Sequence, residues 1–338
     1  MTGAGIFGLL IALGLSSIVL MLVVTLLWWL DRYDREPIHL VVEVFLWGAT
    51  AAPAISIFML SSFYERLASG GQGSVLTMVL ASLAGPTIEE LAKGAGILLV
   101  VLLTREFDNP TDGMVYGTAV GLGFAVTETV LYGIAASAAN PNQPTVTLIV
   151  IAGRTVMTAG IHALSSATLG GFLGYAQLRR RSAAWLLLSL VGLGAAVALH
   201  TSWNLALLFV GPVAETGHPR IWLVVVPGLY VIYLLVFAAF LRLEHHILKR
   251  ELEEEVALGL TPTWVADVIP YYRRRIRGDW WPSRPERTVI SRLLTRLAFR
   301  KHTLRNRSAN VDAVASLEVV WLRKRVREIL GPEEKSRL

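Results

Sequence analysis

Residues 76–103 read LTMVLASLAGPTIEELAKGAGILLVVLL: an apolar run of membrane-spanning length with Glu89, Glu90 and Lys93 near its middle. About 20 apolar residues cross the hydrocarbon core of a bilayer. Charged groups there cost several kcal/mol unless paired, so this box demands a functional or structural explanation. The same counting along the chain predicts an all-α, polytopic membrane protein with about seven transmembrane helices: Gly5–Leu30, Leu40–Ser62, Leu76–Leu103, Gly113–Ala136, Met157–Ala176, Ala183–Val210 and Ile221–Leu241. The first is not read as a cleavable signal, because its apolar run is too long and no basic residue precedes it. Between the fourth and fifth spans, Ala138–Val156 reads as a loop with a short apolar segment that does not cross, or else as an extension of the fifth span.

Composition agrees with a membrane protein. The chain has 338 residues, 54% hydrophobic and 17% charged, with a mean hydropathy of +0.55; soluble chains are nearer a quarter charged. Residues 1–241 hold 10 Lys/Arg against 12 Asp/Glu, and residues 242–338 hold 21 against 13. The chain thus divides into a membrane core, residues 1–243, and a basic helical tail, residues 244–338. Such a tail next to a membrane points to anionic lipid, or to a cytoplasmic protein partner, rather than to nucleic acid. Within it, Thr261–Pro285 reads as an irregular connection with Trp280 and Trp281 at the membrane interface. Arg287–Arg305 and Val311–Leu330 follow as an amphipathic hairpin ended by Gly331-Pro332. An outside N-terminus places Arg32, Arg35, Arg105, the Arg179–Arg181 triplet and the tail in the cytoplasm, leaving Arg66, Arg154 and Arg220 outside. A cell-membrane protein with N-terminus out and C-terminus in is therefore expected. With no cysteine, disulfides and thiolate metal sites are excluded, and any metal must rest on His, carboxylate or amide.

Few strongly polar residues lie in the spans, and their phase is ordered. Residues four apart share a helix face. Gly85, Glu89 and Lys93 line up on the third span; Gly113, Gly117, Gly121 and Ala125 lead to Glu128 on the fourth. Thr158, His162, Ser166, Gly170 and Gly174 step along the fifth, and Gly192, Ala196, His200 and Asn204 along the sixth. Small residues let membrane helices approach closely, so four helices are expected to turn these groups into one interior. Counting at roughly 1.5 Å per residue puts Glu128 and His200 about 22–26 Å above the cytoplasmic edge, in the outer half of the membrane. Imidazoles helped by carboxylate or amide can hold a divalent ion, zinc being the expected one, with a position left for water. A nearby glutamate can take the proton of that water. Glu89 is the expected base and Glu90 a supporting or substrate-orienting group. His162 and His200 are the expected ligands, with Glu128 and Asn204 completing the shell or holding the water. Lys93 and Ser166 support them. Asp112 is expected to cap the fourth helix and Tyr116 to sit at the interface.

Four boxes on successive spans carry a family resemblance over roughly Leu83–Asn204: Glu89-Glu90-x-x-Lys93, the Asp112–Gly117 box D-G-x-x-Y-G, the Gly121–Glu128 box G-x-G-F-A-x-x-E, and the paired steps His162-x-x-x-Ser166 and His200-x-x-x-Asn204. They resemble the PrsW family of intramembrane proteases, distantly related to CAAX prenyl endopeptidases. The resemblance implies a metal-dependent, multi-span endopeptidase cutting membrane-anchored proteins, such as anti-sigma factors, near their extracytoplasmic side. Thr129 departs from the pattern, which has Asn after the glutamate. No H-E-x-x-H, rhomboid-type G-x-S-G or intramembrane aspartate pair is present. The competing readings are a proton- or ion-coupled transporter with a Glu/His/Lys relay and a non-catalytic membrane scaffold.

Overall fold

The computed structural model describes residues 3–31, 33, 35–69, 75–104, 106–107, 109–177, 183–210, 219–281, 283–305 and 313–330. Its regular structure is helical: α1 (Gly3–Leu30), α2 (Ile38–Ala49), α3 (Ala51–Ser69), α4 (Val75–Leu103), α5 (Pro110–Ala139), α6 (Pro144–Gly153), a π-helical turn (Arg154–Thr158), α7 (Ala159–Gln177), α8 (Ala183–Val210), α9 (Pro219–Ala257), α10 (Trp264–Val268), α11 (Tyr272–Arg277), α12 (Arg284–Arg305) and α13 (Ala313–Leu330). Six stretches are long and apolar enough to cross a membrane: Leu9–Leu30, Ile38–Phe63, Pro110–Ala139, Pro144–Gln177, Ala183–Leu207 and Val224–Ala257. The other expected span coincides with α4, which has the length but carries Glu89, Glu90 and Lys93. Arg32, Arg105, the Arg179–Arg181 triplet and Gly331-Pro332 lie outside the described residues. The segment after α5 resolves in favour of extension: α6, the π turn and α7 run on from Pro144 to Gln177.

Two compact units divide the chain, Met1–Leu30 with Glu36–Leu235, and Asp31–Arg35 with Val236–Leu338. In the first, α5 is the central element, buried almost continuously from Pro110 to Ala125. Its start is fixed locally. The Asn109 side chain accepts from the Asp112 amide and Asp112 accepts from the Asn109 amide, a capping box with Pro110 in the first turn. Glycines then set how near its neighbours come. A Cβ on Gly113, Gly117 or Gly121 would strike the carbonyl oxygen of Gly170, Ser166 or His162 on α7. On the α2 side, a Cβ on Gly123 would strike Phe45 O and one on Gly48 would strike Val120 O. Backbone-to-backbone packing of this kind is how membrane helices gain association energy when lipid offers no hydrophobic contrast. Large side chains elsewhere face outward, Phe58, Leu103 and Leu187 among them.

The expected second span is present as one apolar stretch, Ile38–Phe63, interrupted at Thr50 between α2 and α3. Pro53 has no N–H to give the carbonyl of Ala49. Thr127 Oγ1 on α5 donates to that carbonyl instead, at 2.5 Å. A polar group freed inside a membrane needs such a partner. Tyr116 is not interfacial as expected: it is fully buried, and its hydroxyl donates to Glu36 Oε2 at 2.5 Å. Its position on the buried helix outweighs the usual preference of tyrosine for the membrane surface.

The second unit has its own core of Leu248, Leu252, Val265, Ile269, Ile290, Leu294 and neighbours. The α12–α13 pair closes over Leu297, Val319 and Leu322. The expected irregular connection instead holds α10 and α11, and Trp280 and Trp281 pack with Trp264 against this core. Their N–H groups bond Arg275 O and Glu286 Oε2. Buried Glu255 receives Lys301 Nζ at 2.5 Å and Arg323 Nη2 at 2.7 Å.

Gly113→Val is expected to destabilise the purified protein by about 1–3 kcal/mol or more, seen as a lower thermal midpoint by fluorescence. Gly14→Ala, where a Cβ would meet nothing within 4 Å, leaves that midpoint within about 1 kcal/mol. In the second unit, Glu255→Gln strands two cations and is expected to cost on the order of 3 kcal/mol. The exposed Lys249–Glu253 pair is expected to contribute under about 1 kcal/mol. Limited proteolysis of residues 236–338 in the full chain compares Glu255→Gln with Glu253→Gln.

Candidate metal centre

Four helices deliver the polar residues to one place. Glu89, Glu90 and Lys93 come from α4, Glu128 from α5, His162 and Ser166 from α7, and His200 from α8. The depth of α5 against α7 follows from their glycine contacts, because Gly121 lies on the His162 carbonyl and Glu128 follows two turns later. The two imidazoles meet edge to face, with centroids 4.8 Å apart.

Glu90 is the organiser. It is fully buried and accepts from Lys93 Nζ at 2.5 Å, Ser166 Oγ at 3.1 Å and His200 Nδ1 at 2.9 Å. Lys93 therefore pairs three residues back with Glu90, not four residues back with Glu89, as a shared face would suggest. A carboxylate on Nδ1 keeps the proton of His200 there and turns Nε2 inward, the arrangement usual behind metal-ligating histidines. Nε2 lies 3.7 Å from Glu89 Oε2. On His162, Lys93 Nζ sits 3.3 Å from Nδ1, and Nε2 points at Glu128 Oε2, 2.5 Å away.

Glu128 has a second neighbour that sequence reasoning treated only as a loop charge. Arg154 Nη2 lies 2.7 Å from Glu128 Oε2, and its guanidinium stacks 3.7 Å over the Tyr132 ring. Arg154 opens the π turn, a local irregularity common at functional sites. The signal available in the sequence was a lone cation in an otherwise uncharged run, two turns before His162. Asn204 is half-buried one turn beyond His200 and has no hydrogen bond to these groups among the described residues. Thr129, next to Glu128 in the chain, is buried.

Does this set fit a metal ion? Donor atoms of Glu89, His162 and His200 all lie within 4.8 Å of one another. Glu89 Oε2, Glu128 Oε2 and His162 Nε2 are buried without a hydrogen-bond partner; the His162–Glu128 approach is close but not aligned as a hydrogen bond. Buried polar atoms are seldom left so. Three carboxyl groups and two imidazoles share this interior with Lys93 and Arg154, which pair with Glu90 and Glu128. Nitrogen and oxygen donors with no thiolate suit zinc and other divalent first-row ions. The residues fit.

The family model for PrsW family intramembrane metalloproteases matches residues 36–241, more than half of the chain. Protease PrsW of Bacillus subtilis (strain 168) is 32% identical over 163 residues, covering 48% of this chain and 67% of that protein. Protease PrsW of Geobacillus kaustophilus (strain HTA426) is 30% identical over 159 residues, covering 46% and 63%. The chain thus spans about two thirds of the length of these relatives. No solved structure matches. With the charged box of α4 and the His/Glu cluster falling inside the matched stretch, this multi-pass membrane protein belongs to the PrsW family of intramembrane metalloproteases.

Proposed function

We propose that this chain is a zinc-dependent endopeptidase that cuts membrane-anchored proteins, anti-sigma factors among them, near the extracytoplasmic face. The observation carrying this is the convergence of Glu89, His162 and His200, with Glu89 Oε2 buried and without a hydrogen-bond partner. His162 and His200 would hold the ion, with Glu128 completing the donor set and Asn204 lying one turn from His200. A divalent ion held there would supply Lewis acidity toward the scissile carbonyl and the attacking water.

The remaining steps belong to the chain. Glu89 is assigned as the base, since its Oε2 has no hydrogen-bond partner and no arginine or lysine pairs with it among the described residues, whereas Glu128 faces Arg154. Glu89 takes the proton of the attacking water and returns it to the leaving amine. Glu90 is a positioning residue that holds His200 through Nδ1 and is itself held by Lys93 and Ser166. Arg154 fixes the Glu128 carboxylate. A substrate segment reaches the cluster laterally between helices and unwinds there, exposing a backbone carbonyl. The proposed orientation is N-terminus out and C-terminus in, with residues 1–243 as the protease core. Residues 244–338 are proposed to recruit a cytoplasmic partner or lipid.

Metal content by mass spectrometry tests the centre. About one zinc per chain is expected in purified wild type and none in a folded His162→Ala/His200→Ala variant; a wild type that stays empty after zinc reconstitution overturns the reading. Roles separate further. Glu89→Gln should keep its metal and lose cleavage of a membrane-anchored reporter by roughly 100-fold or more, the scale of acid–base catalysis. Glu128→Ala should lose metal. The opposite pattern exchanges the two assignments.

A further inference from the structure

A second site is built entirely from residues outside the family-matched stretch 36–241. Within the unit formed by Asp31–Arg35 and Val236–Leu338 lies a cavity of about 420 Å³ lined by Tyr33, His245, Tyr271, Tyr272, Arg273 and Ile276. That volume lies in the range of small-ligand sites, about 300–1,000 Å³. Its walls are tyrosine rings. The His245 ring stands edge-on to Tyr271, with centroids 5.2 Å apart, and its Nδ1 donates to Pro270 O at 2.9 Å. A carbonyl only accepts, so the Nδ1 position is spoken for and the ring is fixed in orientation.

The charge at this cavity has one sign. Helix α11 reads Tyr272-Arg273-Arg274-Arg275-Ile276-Arg277. The Arg274 guanidinium lies 4.7 Å over the Tyr271 ring, and that of Arg275 lies 5.6 Å from Tyr33 and 5.9 Å from Tyr272. Arg274 and Arg275 also donate to the carbonyls of Asp267 and Tyr33, which holds α11 in place. Arg273 is exposed at the cavity, and no carboxylate pairs with it among the described residues. Ile276 is 60% exposed beside it, an apolar side chain on a basic rim.

Chain position says what lies nearby. Tyr33 follows the end of α1 at Leu30 by three residues, and His245 stands one turn beyond Leu241 on α9. Both are thus tied within a few residues to the end of an apolar, bilayer-length stretch, where lipid headgroups lie. Basic residues next to a transmembrane helix attract anionic lipid, and basic pockets there hold anionic headgroups.

We propose that this cavity binds the phosphodiester headgroup of an anionic phospholipid. Arg273 contacts the phosphate, and the rings of Tyr33, Tyr271 and Tyr272 with Ile276 pack against the glycerol and upper acyl carbons. A free phosphate would leave those apolar walls unused, which favours the lipid as the source of the anion.

The test is native mass spectrometry of the full chain in neutral detergent, titrated with phosphatidylglycerol or phosphatidylcholine. Wild type is expected to retain one phosphatidylglycerol in preference to phosphatidylcholine. Arg273→Gln should weaken phosphatidylglycerol binding about fivefold, the equivalent of ~1 kcal/mol per basic residue near an anionic surface, and leave phosphatidylcholine unchanged. Ile276→Trp, which fills the cavity without altering charge, should weaken it too. Circular dichroism and thermal melting check that both variants fold, and both sites are exposed. Equal phosphatidylglycerol binding in wild type and both variants overturns the site. An equal loss in Arg292→Gln, an exposed arginine on α12, reassigns the effect to general surface charge and overturns it as well. Displacement of the lipid by millimolar inorganic phosphate would make this a free-anion site, against the proposal.

Discussion

Backbone contact between α5 and α7 is the constraint on which the first unit depends. At Gly113, Gly117 and Gly121 there is no room for a Cβ, because carbonyl oxygens of α7 occupy that space. Such contact fixes rotation and translation together, since a helix that slid by one residue would turn its glycines away and drive side chains into the partner backbone. Gly121 against the His162 carbonyl is therefore what brings the Glu128 carboxylate to the His162 ring. On the opposite side, Gly123 and Gly48 draw α2 onto α5 in the same way. Thr127, next to Glu128, bonds the carbonyl that Pro53 leaves free.

That rigid frame carries the electrostatics. Glu90 and Lys93 are wholly buried, and burying either alone would be very costly. Their pairing meets part of that cost, and the remaining lone pairs of Glu90 go to His200 and Ser166. The same bonds that satisfy Glu90 orient His200 toward Glu89. Stability and site geometry are thus one network. Glu89 Oε2 is buried without a hydrogen-bond partner, facing His200 Nε2 and lying beside the His162–Glu128 pair.

The second unit is held differently. Its core is aliphatic and aromatic, and its acidic α9 residues meet cations from α12 and α13. The tryptophans Trp264, Trp280 and Trp281 pack α10 and α11 against that core. In doing so they place a run of arginines beside a tyrosine-walled cavity. Short-range composition does not distinguish an interfacial tryptophan from a packed one, because both positions favour an apolar ring with one hydrogen-bonding edge.

Helix content, membrane character and the family were legible in the sequence, as were the boxes whose Glu89, Glu90, Lys93, Glu128, His162 and His200 come together; Arg154 was not. Span lengths follow from bilayer thickness, and the four-residue steps of small and polar residues follow from helix geometry; both are local properties. What the tertiary structure decided was partnership. Lys93 chooses Glu90 over Glu89, Arg154 leaves the loop it was assigned to and faces Glu128, and Tyr116 is buried on Glu36. A helical repeat says which side of a helix a residue occupies, to within about a residue's rotation. Which atom it meets depends on the rotation and depth of the neighbouring helices, and these are set by close contacts between residues distant in the chain.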